Sequence, residues 1–250
     1  MDIGIYKSAA SLAALEKWQD VISQNIASSS VPGFKKTDLS FSAVESDRTK
    51  FNQNGQFADA LRGVMPQTSA SINLAPGDLR QTGGELDFAI EGNGFFQVQQ
   101  PDGSVGYTRN GEFHLSPQRT LVTRQNLPVM GEGGPITFKP EGGAVSINAE
   151  GVLTQGSQTI GKLPVFEIAD AKNLQRAENG LLAPAKGAEP ERIEKPQILN
   201  GALENSNVSA LNEMVNLITV SRAYEASQKI LQTHDENSDR AIQTLGNPTA

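Results

Sequence analysis

Two stretches of helical apolar periodicity stand at opposite ends of this 250-residue chain, and what lies between them reads as extended chain, strands and turns. In residues 3–27, Ile5, Leu12, Gln19 and Ile26 fall seven apart and Leu15 and Ile22 fill the neighbouring row, which predicts a helix with one apolar stripe. In residues 208 to about 245, Leu217, Tyr224, Leu231 and Leu245 form one row, interrupted by Ser238. A weaker companion row runs through Met214, Ser221, Gln228, Asp235 and Ile242. At about 1.5 Å per residue the helices would reach roughly 37 Å and 57 Å, so the second overhangs the first if they pair. Ser8, Gln19, Ser221, Gln228 and Asp235 dilute both stripes, and a lone pair of such helices buries little apolar surface against the entropy of ordering it. Neighbouring copies of the chain are the obvious source of further burial.

The first helix has an abrupt end. Three serines of poor helix propensity, Ser28 to Ser30, precede Val31-Pro32-Gly33; proline pushes Val31 out of the helical region, and glycine accepts a left-handed conformation. Phe34 then stands before Lys35 and Lys36, expected to anchor the turn in an apolar niche while the two lysines stay at its polar edge, against acidic groups of a neighbour. Residues 37–84 are polar and poorly periodic, with turn signals in FNQNGQF, MPQTSAS and APGDLRQTGG, and predict an extended connector with a short strand near Ser71 to Leu74. From Glu85 onward short strands alternate with turns: LDFAI and GFFQVQQ flank Gly92-Asn93-Gly94, QPDGS marks a hairpin, and Asn110-Gly111 marks another. The expected organisation is a helix and turn over 1–36, a connector over 37–84, a β-domain over 85–200 and a second helical segment over 201–250.

Composition excludes several kinds of chemistry. Cysteine is absent, which removes disulfides, thiolate nucleophiles and cysteine zinc sites. A net charge of −7 offers no basic footprint for nucleic acid. No apolar run approaches the roughly 18 residues of a membrane span, and the N-terminus lacks the pattern of a cleaved signal peptide. The chain is thus expected to be cytoplasmic or exported by a route needing no such signal.

The motifs that mimic catalytic or ligand-binding sites fail on inspection. GSQTIGKL (156–163) follows a phosphate-binding loop as far as Lys162, but Leu163 and Pro164 stand where a magnesium-reaching hydroxyl and a helix are needed. DENSDR (235–240) opens like a calcium loop, yet Arg240 replaces the required glycine and Gly246 the bidentate glutamate. GNGFF lacks the third glycine and the βαβ setting of a dinucleotide site. The two histidines, His114 and His234, lie near no nucleophile-elbow sequence. No enzyme activity, cofactor or metal is expected. A secreted β-domain binding module oligomerised by its helices remains as an alternative, disfavoured by a single Trp and three Tyr.

Three separated segments carry a resemblance. VISQNIASSSVPGFKK (21–36), GDLRQTGGELDFAIEGNGFFQVQ with YTRNGEFHL (77–99 and 107–115), and GALENSNVSALNEMVNLITVSRAYEASQKIL (201–231) resemble, in order, signatures of the axial proteins of the bacterial flagellum, specifically the basal-body rod proteins. The length, GEGGPI (Gly131 to Ile136) and DENSDRA look most like the proximal-rod branch, with the distal-rod branch as runner-up. Ile26 and Ser28 to Ser30 depart from the usual leucine and asparagine pattern, and Arg119 and Asn126 stand where glycines are commoner.

The resemblance implies an α+β fold whose terminal helices pair as an inner coiled-coil layer around which a central, mainly antiparallel β-domain sits. It implies a structural subunit that assembles with copies of itself and with other proximal and distal rod proteins into a hollow, torque-transmitting drive shaft in the periplasm. It further implies passage through the flagellar type III export apparatus. The assembly interface expected on this basis draws on Ile5, Leu12, Leu15, Ile22, Asn25, Ile26, Pro32, Gly33, Phe34 and Lys35, and on Asn207, Leu217, Arg222, Tyr224 and Leu231.

Overall fold

The computed structural model describes residues 3–43, 66–140, 143–168, 174–185 and 187–246. The FNQNGQF turn signal lies outside the described residues, as do the side chains of Ile5, Ser238, Ile242 and Leu245. The described residues fall into two compact units, one drawn from 1–26, 38–70 and 210–250, the other from 27–37 and 71–209.

The first unit contains both helices. Helix α1 spans Ile3–Ala27 and helix α2 spans Ala210–Gly246. The main apolar rows face inward: Ala14, Ile22 and Val220 are buried, and Leu12, Leu15, Ile26, Leu217, Tyr224 and Leu231 are half-buried, whereas the companion row of the second helix does not, Met214, Gln228 and Asp235 being exposed. Two of the polar residues expected to dilute the stripes bond to each other, Gln19 Nε2 donating to Ser221 Oγ at 3.0 Å. The helices are therefore in contact at a matched polar position. Glu213, in the first turn of α2, is buried where the helix dipole favours a carboxylate.

A two-stranded ribbon, residues 38–43 and 66–70 of strands Thr37–Ala43 and Pro66–Ile72, accompanies the helices. The second strand begins well before the predicted Ser71. Its proline start is tolerable because a first strand residue in an isolated ribbon need not donate to a ladder. Trp18 of α1 meets Phe41 edge-on at 5.4 Å between ring centroids, and Lys17 Nζ donates to Thr68 Oγ1 at 3.2 Å.

The second unit is all β. Six short strands form one antiparallel sheet in the order Leu174–Arg176, Leu182–Pro184, Val105–Thr108, Phe95–Gln99, Val165–Glu167, Glu191–Arg192. Period-two alternation along 95–99 sends Phe96 and Val98 into the main core and Phe95 into a smaller cluster with Tyr107, so both sheet faces are apolar. Phe88, Leu121, Leu153 and Leu163 complete the fully buried centre. Two antiparallel ribbons close the unit: Phe88–Glu91 with Gln197–Asn200, and Leu79–Gln81 with Ala202–Glu204.

Turn chemistry holds in most places and fails in one. QPDGS is a hairpin loop between 95–99 and 105–108, with Gly103 left-handed at φ 82°. Gly156-Ser157 is the two-residue loop of a hairpin between 152–155 and 158–162, so the phosphate-loop look-alike is a β-turn. Asn110-Gly111 is not a hairpin: strand 105–108 stays in the large sheet, while 113–115 pairs with 121–123. Its glycine serves close approach instead, since a Cβ at Gly111 would overlap the Phe88 carbonyl, and Phe88 N–H donates to Gly111 O at 3.0 Å. Arg119 and Asn126 both adopt the left-handed conformation, at φ 61° and 60°. The geometry a glycine would favour is thus kept without glycine, Arg119 in addition donating to Lys139 O at 2.8 Å.

Candidate functional site

The turn that ends α1 folds into the second unit around a buried ionic cluster. Val31 N–H donates to Ser28 O at 3.1 Å and Phe34 N–H to Val31 O at 3.3 Å, forming the tight stop that Pro32-Gly33 encodes. Gly33 sits at φ 67°, and a Cβ there would overlap the backbone of Arg109 and Asn110. Its N–H donates to Glu204 O at 2.7 Å. Glycine is required here twice over, by conformation and by contact.

Phe34 is buried as expected, but its cover is not purely apolar: the Arg176 guanidinium lies 4.1 Å above its ring. Arg176 also donates to Lys35 O and, at 3.0 Å, to Thr37 Oγ1. Burial lowers the Arg176 pKa.

Lys35 corrects the sequence-based expectation. It is only 2% exposed and not at a polar edge. Its Nζ donates to Glu204 Oε1 at 2.6 Å and to Ala75 O at 2.8 Å, so its partner lies in its own chain. A lysine reaches such a place only when paired, because desolvating an isolated ammonium is prohibitive. Burial draws the Lys35 pKa below its ordinary value, with the Glu204 carboxylate pulling the other way.

Glu204, 2% exposed, is the hub. Besides Lys35 it accepts from Gly77 N–H at 2.8 Å, and Arg109 Nη1 lies 3.3 Å from its other oxygen. Arg109, itself buried, donates to Ile90 O at 3.0 Å and to Gly92 O, and stands 5.7 Å from the Phe95 ring centre. Desolvation lowers the Arg109 pKa against the opposing pull of Glu204. Lys35 and Arg109 thus share one carboxylate.

Asn207 closes the arrangement. Its Oδ1 accepts from Lys36 N–H at 2.7 Å, its Nδ2 donates to Asn73 O at 3.0 Å and Ala75 O at 2.9 Å, and its own N–H donates to Phe34 O at 3.3 Å. One side chain therefore ties segments 34–36, 73–75 and 207 together, behaving like a short piece of added backbone.

Of the residues singled out from sequence, the structure brings Gly33, Phe34, Lys35 and Asn207 to this clamp. Leu12, Leu15, Ile22, Asn25, Ile26, Leu217, Tyr224 and Leu231 lie on the buried or half-buried sides of the two helices; Pro32 is half-buried and Arg222 exposed. Sequence reasoning missed Glu204, Arg109, Arg176 and Gly77. Glu204 and Arg109 sat inside the segments quoted for the resemblance, GALENSN and YTRNGEF, and the signal available was that these segments share the clamp with PGFKK. Nothing in the clamp resembles a catalytic arrangement: its one carboxylate is engaged by two buried cations and a backbone N–H away from solvent. Among the described residues no group of three His, Cys, Asp or Glu is placed to hold a metal ion, and no helix is long and apolar enough to cross a membrane.

Comparison with known proteins gives the arrangement its setting. Residues 89–155 match the family described as "Flagellar hook protein FlgE/F/G D1 domain", and residues 199–244 match "Flagellar basal body rod FlgEFG protein C-terminal". The flagellar basal-body rod protein FlgF of Caulobacter vibrioides is 32% identical over 247 residues, covering 98% of this chain and 99% of that protein. FlgF of Salmonella typhimurium is 32% identical over 259 residues with the same coverage. The basal-body rod protein FlgG of Buchnera aphidicola (subspecies Schizaphis graminum) is 31% identical over 253 residues, covering 93% of this chain and 95% of that protein. End-to-end similarity of this extent, together with a clamp built from the segments that carry the resemblance, establishes that the chain belongs to the flagellar basal-body rod protein family.

Proposed function

We propose that the chain is a structural, non-enzymatic subunit of the proximal rod, assembling with copies of itself and with other rod proteins into the periplasmic drive shaft after passage through the flagellar export apparatus. The observation that carries this reading is the outer surface of α2. Leu211, Met214, Val215 and Ile218, spaced i, i+3, i+4 and i+7, are 70%, 46%, 57% and 55% exposed. An apolar stripe on one helix face that the described residues leave uncovered is a surface for neighbours.

In this reading α1 and α2 pair antiparallel as a coiled coil. The Gln19–Ser221 bond supports that register, since it lies 8 residues before the end of α1 and 11 after the start of α2. The clamp then has a mechanical meaning. It fixes residues 33–37 and 204–207 to one point of the β-unit through buried ionic contacts. Torque transmission needs such stiffness rather than a reaction. The proximal assignment draws support from FlgF relatives covered over 99% of their length, against 95% for the FlgG relative.

The test is deletion of the gene followed by electron microscopy of isolated basal bodies. A proximal subunit predicts basal bodies with no rod beyond the point where it inserts. A short rod stub lacking only its outer part would move the chain to the distal position, and complete rods would remove it from the structure altogether.

A further inference from the structure

A cavity of about 100 Å³ in the second unit is lined by two groups of opposite charge that the clamp leaves partly unused. Leu74, Phe95 and Ile168 give it apolar walls, and Arg109 and Glu167 supply the charges. Arg109 is 4% exposed, yet its Nε–H has no hydrogen-bond partner among the described residues. In a planar guanidinium Nε–H and Nη2 share one edge. Nη2 donates to Gly92 O, so that edge faces the turn whose next residues, Asn93 and Gly94, line the cavity. A buried donor left without an acceptor is costly, and one aimed into a cavity marks a place for an acceptor. Glu167 is half-buried and steadied through one oxygen, Oε1, which accepts from Asn93 Nδ2 at 3.1 Å. Its other oxygen has no partner among the described residues.

We propose that the cavity receives a primary carboxamide, the head of an Asn or Gln side chain from a neighbouring subunit. Its carbonyl oxygen accepts from Arg109 Nε–H, and its amide N–H donates to Glu167. That the neighbour is a rod protein rests on the reading above. Charge and size select this group. A carboxylate would suit Arg109 and be repelled by Glu167, and an ammonium would suit Glu167 and be repelled by Arg109. A ketone or ester would leave Glu167 without a donor. A hydroxyl combines both functions on one atom, whereas a carboxamide separates acceptor from donor and fills more of the space, which equals that of about three water molecules. The same volume is too small for the ammonium and carboxylate ends of a free amino acid, so the head arrives attached to a polypeptide.

Acetamide, acetate, acetone and propan-2-ol share one skeleton and differ only in the groups they offer. Titrated into the isotope-labelled full chain, acetamide should shift the Arg109 Nε–H resonance to saturation. The other three should bind at least about tenfold more weakly, the worth of one hydrogen bond to a charged group. Glu167→Gln, which keeps an acceptor but loses the charge, should admit acetate as well. In cells Glu167→Leu should lower the flagellated fraction by about tenfold, while Glu167→Gln stays near the parent. No acetamide shift, or a shift in the parent matched by any of the other three, would overturn the carboxamide assignment. Full flagellation with Glu167→Leu, or an equal loss with Glu167→Gln, would overturn the neighbour's side chain as its source. Failure of the parent reading is separately visible, since complete rods in the deletion strain would contradict it whatever the titrations show.

Discussion

Glu204→Leu is the most demanding test of the clamp. The substitution removes the carboxylate that Lys35 contacts at 2.6 Å and that Arg109 approaches at 3.3 Å. It also leaves the Gly77 N–H without its acceptor and strands two buried cations. Removing one partner from a buried ion pair costs about 3–5 kcal/mol, most of it the penalty of the uncompensated charge left behind. Spread over the 150 residues assigned to the second unit, that predicts a fall in its melting temperature of about 6–20 °C.

Lys35→Met should cost less, because Glu204 keeps Arg109 and only one buried charge changes its surroundings. The ordering, Glu204→Leu worse than Lys35→Met, is therefore as diagnostic as the magnitude. The single tryptophan, Trp18, lies in the first unit, so its fluorescence does not report on this change. Scanning calorimetry on the full chain, with hydrogen exchange on the Gly33 and Lys36 amides as the local readout, separates the two units. A loss below about 1 kcal/mol for Glu204→Leu, or a larger loss for Lys35→Met, would refute the view that the carboxylate is the hub.

Gly33→Ala should destabilise the second unit by more than about 2 kcal/mol, since alanine meets both the left-handed penalty and overlap with the Arg109 backbone; chemical denaturation measures it. At Arg119, glycine should stay within about 1 kcal/mol of the parent whereas valine should lose more than that, because a β-branched residue is the worst fit to a φ of 61°. The Lys35 ammonium has its pKa lowered in the fold from 10.5, so the unfolded chain holds that proton more tightly, and this group's contribution makes stability rise as pH climbs from the folded pKa toward 10.5. Denaturation midpoints of the parent relative to Lys35→Met, compared at neutral and alkaline pH, should widen in the parent's favour; a narrowing contradicts the sign.

The parts legible from sequence were those fixed by neighbours along the chain. The α1 stripe, its stop at Pro32-Gly33 and the QPDGS hairpin depend on residues within a few positions, and the structure places all three as read. Asn110-Gly111 shows the limit of the same rule. The dipeptide favours a hairpin locally, yet Gly111 is set by the Phe88 backbone pressed against it, 23 residues earlier in the chain. The left-handed Arg119 shows the opposite case: local preference argues for glycine, and the hairpin between 113–115 and 121–123 imposes the conformation anyway.

Lys35 makes the physical reason plain. Next to Lys36, and followed by a polar connector, its local surroundings are those of a solvated lysine, and every neighbour in sequence argues for the surface. What overrides them is a carboxylate 169 residues away, brought within 2.6 Å by pairing strand 202–204 with strand 79–81. Neither partner would be buried without the other, so the placement of each is a property of the pair and of the strand register that aligns them. Such a pair contributes little net stability over a well-packed apolar substitute, but it penalises every register in which only one charge is buried. The same logic extends to Asn207, whose amide satisfies three backbone groups from two distant segments at once. The clamp thereby ties residues 33–37 and strand 202–204 to a single register within the second unit.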